Sequence, residues 1–148
     1  MTPGPIDLKI VADRLAIVAS CLEALRRLPT ASLDDFRGDW RNAAAADSLL
    51  RRAIEALFDA ARHILAKAFG LGPLQYREVA RLAGEKGLVK DAVLQSRLVQ
   101  IAGFRNRLTH FYDAVTPEEL FGITRDDLAD LEALAEELRQ TATVLASR

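Results

Sequence analysis

Apolar residues recur at alternating steps of three and four along nearly the whole chain, a rhythm that predicts helices. Leu8, Val11, Leu15, Val18, Leu22 and Leu25 form one strip, and Ile10, Ile17 and Cys21 lie beside it as a second. A helix with two such strips buries two faces, one in its own core and one against a partner helix. Pro29 ends this element, and Ser32 with Asp35 three residues on supplies an N-cap for a short turn. A long helix is expected from about Asp39 to Phe69, with Leu50, Ile54, Leu57, Ala61, Ile64 and Ala68 facing inward, stopped by Gly70-Leu71-Gly72-Pro73.

A shorter helix over about Leu74 to Ala83 closes at Gly84, and after Gly87 another begins near Val89. Thr116-Pro117-Glu118-Glu119 reads as an N-cap, a proline at the first helical position and acids in the first turn. Thr124 with Asp127 repeats the capping logic for a last helix carrying Leu128, Leu131, Ala135, Leu138, Ala142 and Leu145. No strand pattern, repeat, low-complexity tract or linker interrupts this series. The expectation is a single all-α domain over residues 1–148, an antiparallel bundle of helices.

Composition narrows the function classes. Half of the 148 residues are hydrophobic, yet no apolar run reaches the roughly 18 residues of a membrane span, so a soluble chain without a membrane partner is expected. Met1-Thr2-Pro3-Gly4-Pro5 has neither the basic start nor the apolar centre of a secretory signal, which makes the cytoplasm the default location. Cys21, the single cysteine, reads as packing rather than chemistry. The net charge of −1 argues against holding nucleic acid by bulk electrostatics. Any such contact must be local, and Arg97, Arg105 and Arg107 on one helix offer a cluster for it.

Chemistry concentrates in Arg105-Asn106-Arg107-Leu108-Thr109-His110-Phe111-Tyr112. Arg105 interrupts the seam of Leu94, Leu98, Ile101, Leu108 and Tyr112, and a cation among aliphatics is costly unless it is paired or faces a wet cleft. Arg105 can fork onto phosphate oxygens, His110 can carry a proton near neutral pH, and Asn106 can orient either one. Cleaving RNA without a metal requires deprotonating a ribose 2′-hydroxyl, stabilising charge at phosphorus and protonating the leaving oxygen. A symmetric dimer would bring two imidazoles and two guanidiniums to that task. On a regular helix His110 lies about 140° around from Arg105, so either the helix loosens near Thr109 or the partners come from different protomers. Asn106 and His110, four apart, could touch.

Other readings compete. A lone Arg in a seam is often a buried ion-pair partner, a His near a helix end is often a cap, and a Tyr often belongs to the core. His63 follows Glu55 and Asp59 at helical spacing, a ladder that could tune a proton carrier or bind a metal weakly, although a polar helix face with i,i+4 pairs is the expected reading. Two histidines without clustered cysteines give no zinc site, and no Walker-type or dinucleotide-binding glycine pattern is present, so no metal or cofactor is expected.

The spacing Arg-x4-His-x-Tyr, with Asn directly after the Arg, resembles the motif of HEPN-domain ribonucleases and of the HepT toxins in particular. Ala46 to Glu55 is similar to that family's second helix, and Pro73 to Val79 to its following connection. Gly103-Phe104-Arg105-Asn106 and Tyr112-Asp113 with Pro117-Glu118-Glu119-Leu120 are the most specific matches. The resemblance implies a homodimeric, metal-independent endoribonuclease acting on RNA, with Arg105, His110 and Asn106 as catalytic residues. It further implies a minimal nucleotidyltransferase antitoxin that silences the toxin by AMPylating Tyr112. The alternative is a non-catalytic module that holds a nucleotide or docks a nucleotidyltransferase, and a third reading is a plain interaction bundle. No base-reading aromatic platform is visible, so the RNA itself is not specified.

Overall fold

Most helix starts follow capping side chains in this computed structural model, which describes residues 2–110 and 115–148. Among the described residues the chain forms seven helices and no strand: α1 (Leu8–Arg26), α2 (Leu33–Arg37), α3 (Trp40–Phe69), α4 (Tyr76–Glu85), α5 (Ala92–Thr109), α6 (Pro117–Asp126) and α7 (Leu128–Ala146). Asp7 caps α1 by accepting from the Lys9 and Ile10 amides, Ser32 caps α2 through the Asp35 amide, and Asp39 caps α3 through the Arg41 amide. Thr116 accepts from the Glu119 amide with Pro117 in the first turn of α6. Each such side chain satisfies a helix-end donor and stabilises its helix by about 1 kcal/mol.

Three helices differ at their ends from the sequence expectation. Helix α4 runs two residues later than predicted and keeps Gly84 helical, because the left-handed turn falls at Gly87, with φ 74°. Helix α5 starts at Ala92 rather than Val89. Leu88 and Val89 are instead buried in the connection, where both amides donate to the Ala83 carbonyl and the Val89 carbonyl accepts from the Gln95 side chain, and Asp91 provides the cap. Thr124 does not cap the last helix: it lies buried inside α6, and Asp127 joins α6 to α7 without a side-chain cap bond.

Helix α3 is the centre of the bundle and touches each of the other six. Leu50, Ile54, Leu57, Ala61 and Ile64 are buried as expected, and Ala46, Ala53, Phe58, Ala60 and Leu65 extend that burial around the helix. Gly70 closes it in the left-handed conformation at φ 69°, with its amide on the Ala66 carbonyl and the Leu71 amide on the Leu65 carbonyl. Helix α1 packs along α3 through Val11, Val18, Cys21, Leu22 and Leu25, while Leu8 and Ile10 remain exposed. Burial pushes the Cys21 thiol up, in keeping with a packing role. Leu128, Leu131, Leu134, Leu138 and Ala142 seat α7, and an edge-to-face contact of Phe36 with Phe121, centroids 5.7 Å apart, ties α2 to α6.

His63 fastens the start of the chain to α3. Its Nε2 accepts from the Asp7 amide at 2.9 Å, and the Gly4 amide donates to the Lys67 carbonyl at 2.8 Å one turn on. The Glu55-Asp59-His63 ladder is thus divided among different partners, and His63 serves the entry to α1. Burial first, and then the nearby Lys67, hold its imidazole below the ordinary value of 6.5, opposed by Asp7.

Below that ordinary value the unfolded chain takes up a proton before the folded one, so stability declines as pH falls through the window between the two pKa values. Denaturant midpoints measured against pH should show this decline in the wild type. His63→Ala should be less stable at neutral pH and flatter below 6.5. An unaltered pH profile in the variant would contradict this role.

Candidate functional site

Arg105 sits on the half-covered face of α5, a helix that fully buries only Leu98, Ala102 and Leu108. Its side chain is 24% exposed, and Nη2 lies 3.4 Å from a Glu55 carboxylate oxygen on α3. The guanidinium carbon stands 4.1 Å from the centre of the Tyr76 ring at the start of α4. Its Nε is buried and makes no hydrogen bond. Burial, one long ion pair and a ring face hold the cation in place while leaving donors unused. The sequence expectation that Arg105 is either paired or facing a cleft is met in both halves.

The cleft, about 500 Å³ in volume, is lined by Arg62, Leu74, Gln75, Tyr76, Arg77, Arg105 and Asn106. Arg62 approaches the same tyrosine, its guanidinium carbon 4.4 Å from the ring centre. Its Nε donates to the Leu74 carbonyl at 3.1 Å, and Nη1 pairs with Asp59 at 3.4 Å. Phe58 backs the tyrosine with ring centroids 4.9 Å apart. Cation–π contacts of this kind contribute roughly 0.5–2 kcal/mol each, more when desolvated. Sequence reasoning missed Arg62 and Tyr76 as site residues. Tyr76 stood in the Pro73 to Val79 connection, but nothing local signals that two distant arginines converge on its ring.

Helix α5 ends beside this cleft. Thr109 is its last helical residue and its Oγ1 donates to the Asn106 carbonyl at 2.9 Å. His110 follows in extended backbone, at φ −110° and ψ 122°, with its amide directed to the Arg107 carbonyl. The helix therefore stops before His110, and the imidazole is released from the 140° offset that a regular helix imposes. Arg105 and Asn106 share the cleft, whereas exposed His110 stands at the helix end beyond its lining. Tyr112 lies outside the described residues.

Two arginines pin that helix end, one by a hydrogen bond to its backbone and one by an ion pair to the next helix. Arg51 of α3 donates to the Leu108 carbonyl at 3.1 Å and pairs with Asp47 at 2.6 Å. Arg107 forks onto both Glu119 oxygens at 2.8 Å each, joining α5 to α6 across the connection that follows His110. The Arg107 hydrogen bonds hold the Glu119 carboxyl below its usual range. Arg97 lies elsewhere: it pairs with Asp130 at 3.4 Å and lines a separate cavity with Asp127 and Asp130. The three arginines expected to form one cluster are thus distributed among three acids.

Of the ladder on α3, Glu55 and Asp59 serve this site through Arg105 and Arg62, and His63 does not. Among the described residues no group of three or more His, Cys, Asp or Glu is placed to hold a metal ion. No helix among them is long and apolar enough to cross a membrane. Chemically the arrangement offers a braced cation with unused donors, a neighbouring carboxamide, and an imidazole just past a pinned helix end.

Comparison with known proteins places this geometry in a family. The chain is 27% identical over 117 residues to the tRNA nuclease HepT of Aphanizomenon flos-aquae (strain 2012/KM1/D3), covering 78% of each chain. Its fold matches a chain of the tri-AMPylated Shewanella oneidensis HEPN toxin in complex with MNT antitoxin, with TM-score 0.78 and 21% identity over 88% of this chain and 97% of that one. A toxin–antitoxin crystal structure with AMP-PNP matches equally well, with TM-score 0.78 and 20% identity over 89% and 98% of the two chains. These likenesses establish an all-helical fold shared with HEPN toxins. The model of the ribonuclease HepT-like family matches residues 18–138, which span α1 to α7 and the whole of the Arg105 cleft, and the chain belongs to that family.

Proposed function

We propose that this HepT-like chain is the toxin of a toxin–antitoxin pair and cuts RNA through the ribose 2′-hydroxyl, without a metal ion. The observation that carries the reading is Arg105, held by Glu55 and the Tyr76 ring with a buried, unbonded Nε at the wall of an arginine-lined cleft. In this reading Arg105 binds the scissile phosphate and stabilises the charge that grows on it. Asn106 donates a hydrogen bond beside it. The 2′-oxygen attacks phosphorus as an imidazole removes its proton, and the bond to the 5′-oxygen breaks as a second imidazole protonates that oxygen. The products are a 2′,3′-cyclic phosphate and a 5′-hydroxyl. His110 provides one imidazole per chain, so the proposal includes a homodimer that faces two α5 ends toward one RNA.

Silencing is proposed to occur at Tyr112. A minimal nucleotidyltransferase antitoxin would join its phenol oxygen to the α-phosphorus of ATP, with pyrophosphate leaving. The added AMP places negative charge near the motif and repels RNA phosphate. The AMPylated Shewanella oneidensis toxin and the relative named a tRNA nuclease support this reading and make tRNA the first substrate to test. A second reading, a module that holds a nucleotide or docks a nucleotidyltransferase, is favoured by one observation: the cleft is lined by Arg105 and Asn106 but not by His110.

The test is incubation of unmodified protein with tRNA and total RNA in excess chelator, followed by analysis of cut ends. The expected outcome is chelator-resistant cleavage leaving 2′,3′-cyclic phosphates, with Arg105→Ala and His110→Ala each slower by about 10²-fold or more while retaining the wild-type oligomeric state. Wild-type rates in either variant overturn its assignment, and binding without cut ends selects the second reading. Protein AMPylated at Tyr112, verified by mass, should cleave far more slowly than unmodified protein. Undiminished cleavage would remove the silencing mechanism.

A further inference from the structure

We infer that Arg62 and Arg77 form a second phosphate subsite beside Arg105, so that the cleft grips two phosphates of one RNA strand. This rests on the ribonuclease reading above and extends it to how the strand is held. The chain carries a net charge of −1, yet the seven residues lining this cleft include three arginines and no carboxylate. Glu55 and Asp59 stand behind two of these cations, each 3.4 Å from its guanidinium, and leave donors of both unused.

The Tyr76 ring spaces the cations. The Arg105 carbon is 4.1 Å and the Arg62 carbon 4.4 Å from the ring centre, so the two can be no more than 8.5 Å apart. Two like charges so close raise each other's energy, and a polyanion entering the cleft relieves both. Arg77 adds a third charge in the first turn of α4, exposed and, among the described residues, without a carboxylate partner. The N-cap of that ten-residue helix, Gln75, makes no side-chain cap bond, so the first-turn amides beside Arg77 keep their affinity for an anion. One phosphate at Arg105 and a neighbouring one at Arg62 and Arg77 would use every cation of the lining. The arrangement therefore favours a strand over a mononucleotide.

Arg77 allows the test without disturbing the fold, since it is exposed and, among the described residues, pairs with no carboxylate. The probe is a fluorescein-labelled 2′-O-methyl hexanucleotide, which has no free 2′-hydroxyl to react, titrated against full-length unmodified protein at several salt concentrations. Arg77→Gln should weaken binding and lower the slope of log affinity against log salt by about 0.7, the value for one contact to a single strand, while Arg77→Lys keeps the slope. Cleavage of tRNA is measured in parallel. Wild-type cleavage with an unchanged slope in Arg77→Gln overturns the subsite and leaves the ribonuclease reading standing. A changed slope without cleavage upholds the subsite and sinks the ribonuclease reading, and no binding and no cleavage by the wild type removes both.

Discussion

Arg105 has to carry a full charge in a row of residues that otherwise packs, and the bundle answers that constraint with two supports of different kinds. Glu55 supplies an opposite charge from α3, and Tyr76 supplies the negative face of a ring from α4. Neither saturates the guanidinium. A bidentate pair such as Arg107 with Glu119, at 2.8 Å for both bonds, would leave the fork fully engaged. The contrast between these two arginines, two positions apart on α5, separates a structural clamp from a cation kept available.

Both supports depend on α3. Its burial on most sides fixes its rotation, because turning it would expose Leu50, Leu57 or Ile64 to water at roughly 1.5–3 kcal/mol for each large side chain. That same rotation sets where Arg51, Glu55, Asp59 and Arg62 emerge. Arg51 reaches the end of α5, Glu55 reaches Arg105, and Arg62 reaches Leu74 and Tyr76. Core packing is thereby converted into the position of polar groups along one side of the cleft. A helix held only by its polar face could not place them so well, because exposed ion pairs are individually worth about 1 kcal/mol or less.

The helices were legible because their signals are local. Ser32 and Thr116-Pro117 cap where they were expected to, the long helix begins just after Asp39, and the strip from Leu50 to Ile64 is buried. Errors arose where a local signal was ambiguous: Gly84 read as the helix stop, yet it stays helical, and of Gly84 and Gly87 only Gly87 takes the left-handed backbone. Thr124 looked like a cap by composition, but α6 and α7 meet at the single residue Asp127 and leave no room for one. In the site, Arg105 and Asn106 were visible through their place in a rhythm and a motif. Tyr76 and Arg62 were not, since the ring–cation contacts join residues from three helices and periodicity within one helix carries no record of them.

The pairing of the cations bears on how a nearly neutral chain could hold a polyanion selectively. Arg97, Arg105, Arg107 and Arg62 each face an acid, so the resting surface presents little net attraction for nucleic acid at a distance. A phosphate must compete with those acids, and the competition differs from site to site. At Arg107 it would have to break two short, charge-assisted bonds to Glu119. At Arg105 and Arg62 the acids lie at 3.4 Å and one or more donors are already unused. Phosphate binding would therefore be favoured where loosely paired cations share a lining free of carboxylates, which is the Tyr76 cleft; Arg97, paired at the same 3.4 Å, shares its cavity with Asp127 and Asp130. Affinity confined to that place needs no basic surface elsewhere, consistent with a net charge of −1.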